Sequence, residues 1–164
     1  MANFLTLSRA GLAVMLAAAV LVSACARTPG SEPGGLGMGA GAGAATPGSA
    51  QDFIVNVGDR VFFETDSTVL TPQSRQTLDR QAQWLNQYPR YSITIEGHAD
   101  ERGTREYNIG LGARRAQIVQ EYLISRGVGA NRLRTISYGK ERPVAVCDDI
   151  SCWSQNRRAV TVVN

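Results

Sequence analysis

The chain has 164 residues, 43% of them hydrophobic and 19% charged, which allows about one domain with appendages. Its formal net charge of +3 is small and its basic residues are interleaved with acids. Composition therefore gives no reason to expect a nucleic-acid partner, whose phosphates select for clustered Lys and Arg.

The chain opens with a targeting pattern. Arg9 and the α-amino group precede the uncharged apolar run Ala10 to Val22. That run is shorter than the roughly 20 helical residues needed to cross a bilayer core, and it suits a secretory signal. Val22-Ser23-Ala24-Cys25 follows and resembles a bacterial lipobox, with small residues before one cysteine. Residues 1–24 are thus read as a lipoprotein signal peptide and Cys25 as the lipidated residue, a plain Ala-x-Ala cleavage being the alternative. Several acyl chains anchor stably where a single one binds only marginally. Ala26 stands where such lipoproteins carry Asp for inner-membrane retention, so the resemblance implies the outer membrane.

From Ala26 to Gln51 the chain is dominated by Gly, Pro, Ala and Ser and has too little apolar surface to offset the entropy of ordering. Residues 25–52 are read as the lipidated Cys and a flexible tether, and 53–164 as the folded domain. Val61-Phe62-Phe63 reads as a strand. Thr71 caps a helix with Pro72 at its first position and Leu78, Ala82 and Leu85 on its apolar face, ending at Tyr88-Pro89. Tyr91 to Glu96 alternates as a strand with one buried side. A second helix runs from Arg105 to Arg126, closed by Gly127, and carries the stripe Leu111, Arg115, Ile118, Tyr122. Gly110 and Gly112 each weaken it by about 1 kcal/mol relative to Ala, which is understandable if something approaches the backbone there. Leu133 to Tyr138 and Arg158 to Val163 are the last strands. The order β-α-β-α-β-β predicts a two-layer α/β sandwich, a mixed sheet with both helices on one face.

Between strand and helix lies the polar loop Gly97 to Thr104. Asp100 sits on it, and Arg115 falls where the apolar stripe should continue. A guanidinium facing a core needs acceptors, so these two are candidates for one site, a structural ion pair being the alternative. Glu64-Thr65-Asp66-Ser67 is a polar turn at a strand end, equally readable as helix-entry chemistry. Lone His98 lacks the companions a metal site needs and is read as a packed or hydrogen-bonded loop residue. Trp84 and Trp153 are expected to pack, and Arg157 and Arg158 to brace the sheet. Cys147 and Cys152, in a polar segment of an exported chain, suggest a local disulfide worth about 2 kcal/mol, free thiols being the alternative. There is no Gly-x-Ser-x-Gly, the lone His offers no triad, and the adjacent acids Asp100 and Glu101 diverge and do not form a positioned carboxylate pair, so a binding module without cofactor is expected rather than an enzyme.

Ala99-Asp100, Gly103, Tyr107-Asn108, Leu111 and Arg115-Ala116 follow, at matching intervals, the signature of the OmpA-like peptidoglycan-binding domain family, which the chain resembles over residues 53–164. The longer strings Gly97 to Thr104, Ser137 to Lys140 and Asn156 to Ala159 resemble its outer-membrane lipoprotein members. Those members work with the periplasmic proteins TolB and TolA in outer-membrane integrity and constriction at division. The resemblance implies that Asp100 takes the ammonium and Arg115 the carboxylate of meso-diaminopimelate in the peptidoglycan stem peptide. Asn108, Arg102, Thr104 and Asp66 would add hydrogen bonds. Thr65 departs from the family, which carries Phe there. A role centred on the Tol partners, with wall binding secondary, is the other reading.

Overall fold

The computed structural model of the protein describes residues 45–164, so the signal peptide, Cys25 and the tether as far as residue 44 lie outside the described residues. Within them no helix is long and apolar enough to cross a membrane. Folded contacts begin before Phe53. A helical turn, α1 (Ala50–Asp52), is capped by Ser49 and continues as a π-helical stretch, Phe53–Gly58. Asp52 Oδ2 accepts from Trp84 Nε1 at 2.8 Å, and Gly48 O accepts from the Tyr91 hydroxyl at 2.8 Å. Gly48, at φ +75°, has the Tyr88 ring 2.5 Å from where a Cβ would stand, so only glycine passes there. The last residues assigned to the tether thus pack on the domain, because the Asp52 carboxylate finds a partner on Trp84 and the Gly48 carbonyl one on Tyr91.

The sheet order is β1-β4-β2-β3. Its strands are β1 (Arg60–Phe62), β2 (Ile93–His98), β3 (Leu133–Gly139) and β4 (Arg158–Val163). β4 is antiparallel to both β1 and β2, while β2 and β3 run parallel, as a mixed sheet requires when a helix carries the chain between them. Helix α2 (Pro72–Gln87) starts at Thr71, whose hydroxyl accepts from Ser74 N at 3.1 Å. Helix α3 (Arg105–Ser125) starts at Thr104 and stops where Gly127 takes φ +88° and Val128 N reaches back to Leu123 O. Leu78, Ala82 and Leu85 of α2 join Ala116, Val119 and Leu123 of α3 in one core with Ile93 and Ile95. Both helices therefore share one sheet face, and the two-layer sandwich is the observed fold.

Three details differ from the sequence reading. The buried line of α3 is Leu111, Arg115, Val119 and Leu123 with Ala116, while Ile118 and Tyr122 flank it half buried. A helix wedged between sheet and α2 follows its true pitch, drifting from the spacing assumed. Strand β2 begins at Ile93 rather than Tyr91, because Tyr91 O is taken by Arg132 Nε at 3.0 Å, and it runs on through Gly97 and His98. The segment before β4 is not only loop: it holds helix α4 (Ile150–Asn156), capped by Asp149. Seven residues are too few to sustain a helix alone. The Cys147–Cys152 disulfide, with Cα atoms 5.6 Å apart, ties its first turn, and Asn156 Oδ1 accepts from Val144 N at 2.9 Å.

Gly97 shows why the site lies where it does. A Cβ there would meet Gly112 O at 1.8 Å, and one on Gly112 would meet Ser137 Oγ at 2.4 Å. Helix α3 crosses β2 in backbone contact, which brings its first turns over the end of the strand. The residue that must approach Gly112 is β2 itself; Gly110 has no such neighbour, its nearest being Arg114 Nη1 at 3.4 Å.

Candidate functional site

The loop that leaves β2 is fixed before any ligand arrives. Ala99 N donates to Gly139 O at 2.8 Å, and Lys140 Nζ donates to Gly103 O at 2.8 Å and Glu101 O at 3.1 Å. Gly103 turns the chain at φ +85°. Thr104 Oγ1 then accepts from Tyr107 N at 3.2 Å, so Thr104 serves as the cap of α3 and does not line the cleft.

Asp100 is 7% exposed and held from two sides. Its Oδ1 accepts from Arg102 N and Nε, both at 3.2 Å. Its Oδ2 accepts from Arg102 Nη2 at 2.6 Å and from Arg157 Nη1 at 3.3 Å. Burial pushes this carboxyl up, but the Arg102 and Arg157 bonds outweigh it and leave the group below its ordinary value. Arg102 in turn lies over the Trp153 ring, 4.3 Å from its centroid, and Trp153 Nε1 donates to Glu101 Oε1 at 2.8 Å. Trp153 is thus a half-buried wall beside the cleft rather than a core side chain.

Arg115 has no surface open to solvent. Nε donates to Ser67 O at 2.9 Å, Nη1 to His98 O at 2.8 Å and Nη2 to Glu64 O at 3.1 Å. A guanidinium has five N–H groups, so most of the fork expected for a ligand carboxylate is committed to backbone. Burial first, then the like charge of Arg157, pull its pKa down to about 10, which still leaves it cationic at neutral pH. Asp100 and Asp66 act in the opposite direction on it, so the three charges share one field.

A cleft of about 330 Å³ gathers these groups. Asp66, Asp100, Arg102, Asn108 and Arg115 line it together with Thr65, Gly103, Tyr107 and Leu111. Asn108 is 2% exposed, and its Nδ2 donates to Arg102 O at 2.7 Å. Asp66, in the left-handed region at φ 53°, accepts from the Tyr107 hydroxyl. Thr65 Oγ1 lies 3.5 Å from Arg102 Nη2, a polar wall at the position where Thr65 departs from the resembled family. Tyr107, part of the family signature but not among the candidate residues, also lines the cleft, and Arg157, expected to brace the sheet, reaches Asp100 as well. Its Nε donates to Phe63 O at 3.0 Å. A larger groove of about 690 Å³ lies between β1, α2 and α4, with Arg60, Glu64 and Arg157 as its charged lining, but it contains none of the candidate residues Asp66, Asp100, Arg102, Asn108 and Arg115, which the smaller cleft gathers. His98 is packed rather than hydrogen-bonded: both ring nitrogens are buried without a hydrogen-bond partner, and the ring lies 5.6 Å from that of Tyr138, tilted by 33°.

A mixed four-stranded sheet backed by two helices, with its charged cleft where β2 gives way to α3, is the OmpA-like fold. The model of the OmpA family matches residues 62–157, and the chain belongs to that family, among the peptidoglycan-associated lipoproteins. It is 64% identical to the peptidoglycan-associated lipoprotein of Rhizobium meliloti (strain 1021) over 96% of this chain and 90% of that protein. It is 60% identical to that of Brucella melitensis biotype 1 over 97% of this chain and 95% of the relative. The crystal structure of the peptidoglycan-associated lipoprotein from Burkholderia pseudomallei superposes with a TM-score of 0.67 at 38% identity, covering 71% of this chain and 100% of that one. The C-terminal domain of Helicobacter pylori MotB gives 0.61 at 28% identity, covering 65% and 84%.

Proposed function

We propose that the chain is an outer-membrane lipoprotein, acylated at Cys25, that binds peptidoglycan non-covalently through the meso-diaminopimelate of its stem peptide. The observation that carries this is the Asp100 carboxylate, kept ionised just beyond β2 in a cleft that also presents the guanidinium groups of Arg102 and Arg115 and a second carboxylate, Asp66. Diaminopimelate ends in an ammonium and a carboxylate on one carbon, and the cleft offers both complements. The names of the relatives, which describe association with peptidoglycan, support the cell wall as the source of the ligand.

Occupancy follows from the acceptor count at Asp100. Both oxygens already accept from guanidinium or amide groups, so an arriving ammonium displaces one donor. Arg102, with its side chain 41% exposed, yields more readily than Arg157 at 5%. The released Arg102 then meets the ligand carboxylate, with Arg115 beneath as a buried positive charge carrying its remaining N–H groups. Lysine in place of diaminopimelate lacks that carboxylate and leaves the guanidinium groups unanswered, which supplies discrimination. TolB and TolA are proposed as protein partners, and the linkage of membrane to wall at constriction as the cellular outcome. No step requires bond chemistry, and the chain acts as a binding module.

Sedimentation with diaminopimelate-type sacculi tests the reading. Asp100→Ala should remain in the supernatant where the parent chain pellets. If Asp100→Ala pellets normally and instead loses TolB capture, wall binding through this cleft is wrong.

A further inference from the structure

The groups that hold Asp100 are all reached from α4. Trp153, one residue beyond Cys152, stacks under Arg102 at 4.3 Å and anchors Glu101 at 2.8 Å. Arg157, the residue that ends α4, donates to Asp100 at 3.3 Å. Helix α4 is seven residues long, and the Cys147–Cys152 disulfide clamps the end from which Trp153 projects. The other end is tied independently, since Asn156 holds Val144 N and Ala145 O at 2.9 and 2.8 Å. Opening the disulfide therefore removes the covalent tie of the first turn, which carries Trp153, leaving it the Asp149 cap alone, and spares the end that carries Arg157.

Resting on the functional reading above, we propose that Trp153 is a positioning residue for the wall-peptide site and that the Cys147–Cys152 disulfide sets its position, so that ligand affinity depends on the redox state of this pair. The route is physical contact: disulfide, first turn of α4, indole, Arg102, Asp100. With the indole in place, Arg102 stays in the cleft when the ligand ammonium takes its position on Asp100 and is ready for the ligand carboxylate. Without it, a side chain already 41% exposed moves into solvent and must be ordered again on binding. Reduction is two-electron thiol–disulfide exchange with an added dithiol, which is itself oxidised to a disulfide as Cys147 and Cys152 become thiols.

The test uses the chain from residue 25 onward carrying Cys25→Ser, which leaves Cys147 and Cys152 as its only thiols. Titration with a diaminopimelate muropeptide should weaken about two- to fivefold on reduction, the scale of one partly exposed cation–π contact. Trp153→Ala should weaken binding by the same factor and abolish the further effect of reduction, while Trp153→Phe retains most of the affinity. A second readout needs no ligand: the Asp100 carboxyl carbon, followed by NMR against pH, should titrate higher in the reduced protein and in Trp153→Ala. Unchanged Asp100 titration on reduction, or a reduction effect of full size in Trp153→Ala, would overturn the inference. If the Asp100 titration responds while the oxidised protein ignores muropeptide, the positioning route stands and the functional reading above is what fails.

Discussion

Arg157 Nη1 stands 3.3 Å from Asp100 Oδ2 while Arg157 Nε donates to Phe63 O at 3.0 Å, so one guanidinium joins the acid of the cleft to the end of the first strand. With its side chain 5% exposed, Arg157 is buried, and removing it leaves Phe63 O without its donor and Asp100 with Arg102 as its remaining cationic partner. Arg157→Ala should destabilise the domain by about 1–3 kcal/mol. Arg157→Lys, which keeps the charge but cannot serve both acceptors, should recover part of that. Urea unfolding of both variants checks it, and a change under 1 kcal/mol in Arg157→Ala would be incompatible with the pair as described.

Arg115 is expected to be a folding residue as much as a binding one. Arg115→Met fits a similar volume but leaves the carbonyls of Glu64, Ser67 and His98 without their donor. At about 1–3 kcal/mol for each stranded group, the loss should be several kcal/mol, enough to unfold a marginal domain. Arg115→Lys, with one ammonium for three acceptors, should fall between. Circular dichroism melts give the order parent, Lys, Met. A stable Arg115→Met that merely fails to bind ligand would show that the carbonyl cage contributes little.

The two glycines of α3 should behave oppositely. Gly112→Ala drives a methyl into Ser137 and the Gly97 backbone, at 2.4 and 2.8 Å, and should lower stability by more than 2 kcal/mol. Gly110→Ala meets only the flexible end of Arg114 at 3.4 Å and should raise stability by up to about 1 kcal/mol through helix propensity. Thermal midpoints of the pair decide it, and equal signs would contradict the crossing of α3 over β2 at Gly112.

His98 gives a dependence on acidity. Burial first, then the positive charges of Arg158, Arg142 and Arg60, hold its pKa near 4 against 6.5 in an unfolded chain, although Glu96 Oε2 stands 3.7 Å from Nε2. Above pH 6.5 neither state is protonated and the stability is fully present. As pH falls from 6.5 toward 4 the unfolded state alone gains the proton, and about 3 kcal/mol is lost across that window. Denaturant midpoints measured from pH 7 to pH 4 should slope downward in the parent chain and flatten in His98→Asn. The same slope in both would assign the effect elsewhere.

The parts of the fold legible in the sequence are those determined by neighbours along the chain. Thr71-Pro72 and Gly127 delimit helices through local backbone chemistry, and the alternation of Ile93 and Ile95 marks a buried strand face. Arg115 could be singled out because a charge interrupted an apolar stripe. Its actual acceptors could not, since Glu64 lies 51 residues away and only the assembled sheet brings that carbonyl under α3. Likewise Asp100 and Arg157 are 57 residues apart, so nothing periodic links them. Helix α4 was hidden because its support comes from a disulfide and Asn156 rather than from an apolar face. The expected gripping pair of Asp100 and Arg115 is brought to one cleft, but each is satisfied by other groups, a distinction that needs coordinates.

The most direct measurement is calorimetric titration of the chain from residue 45 with a muropeptide carrying meso-diaminopimelate and with its lysine counterpart. The distal carboxylate is the only chemical difference between them at that residue. Binding of the first should be tighter by roughly tenfold or more, the scale of one charge-assisted hydrogen bond set, and the difference should shrink in Arg102→Ala. Equal affinity for both peptides would contradict recognition of a paired ammonium and carboxylate in this cleft.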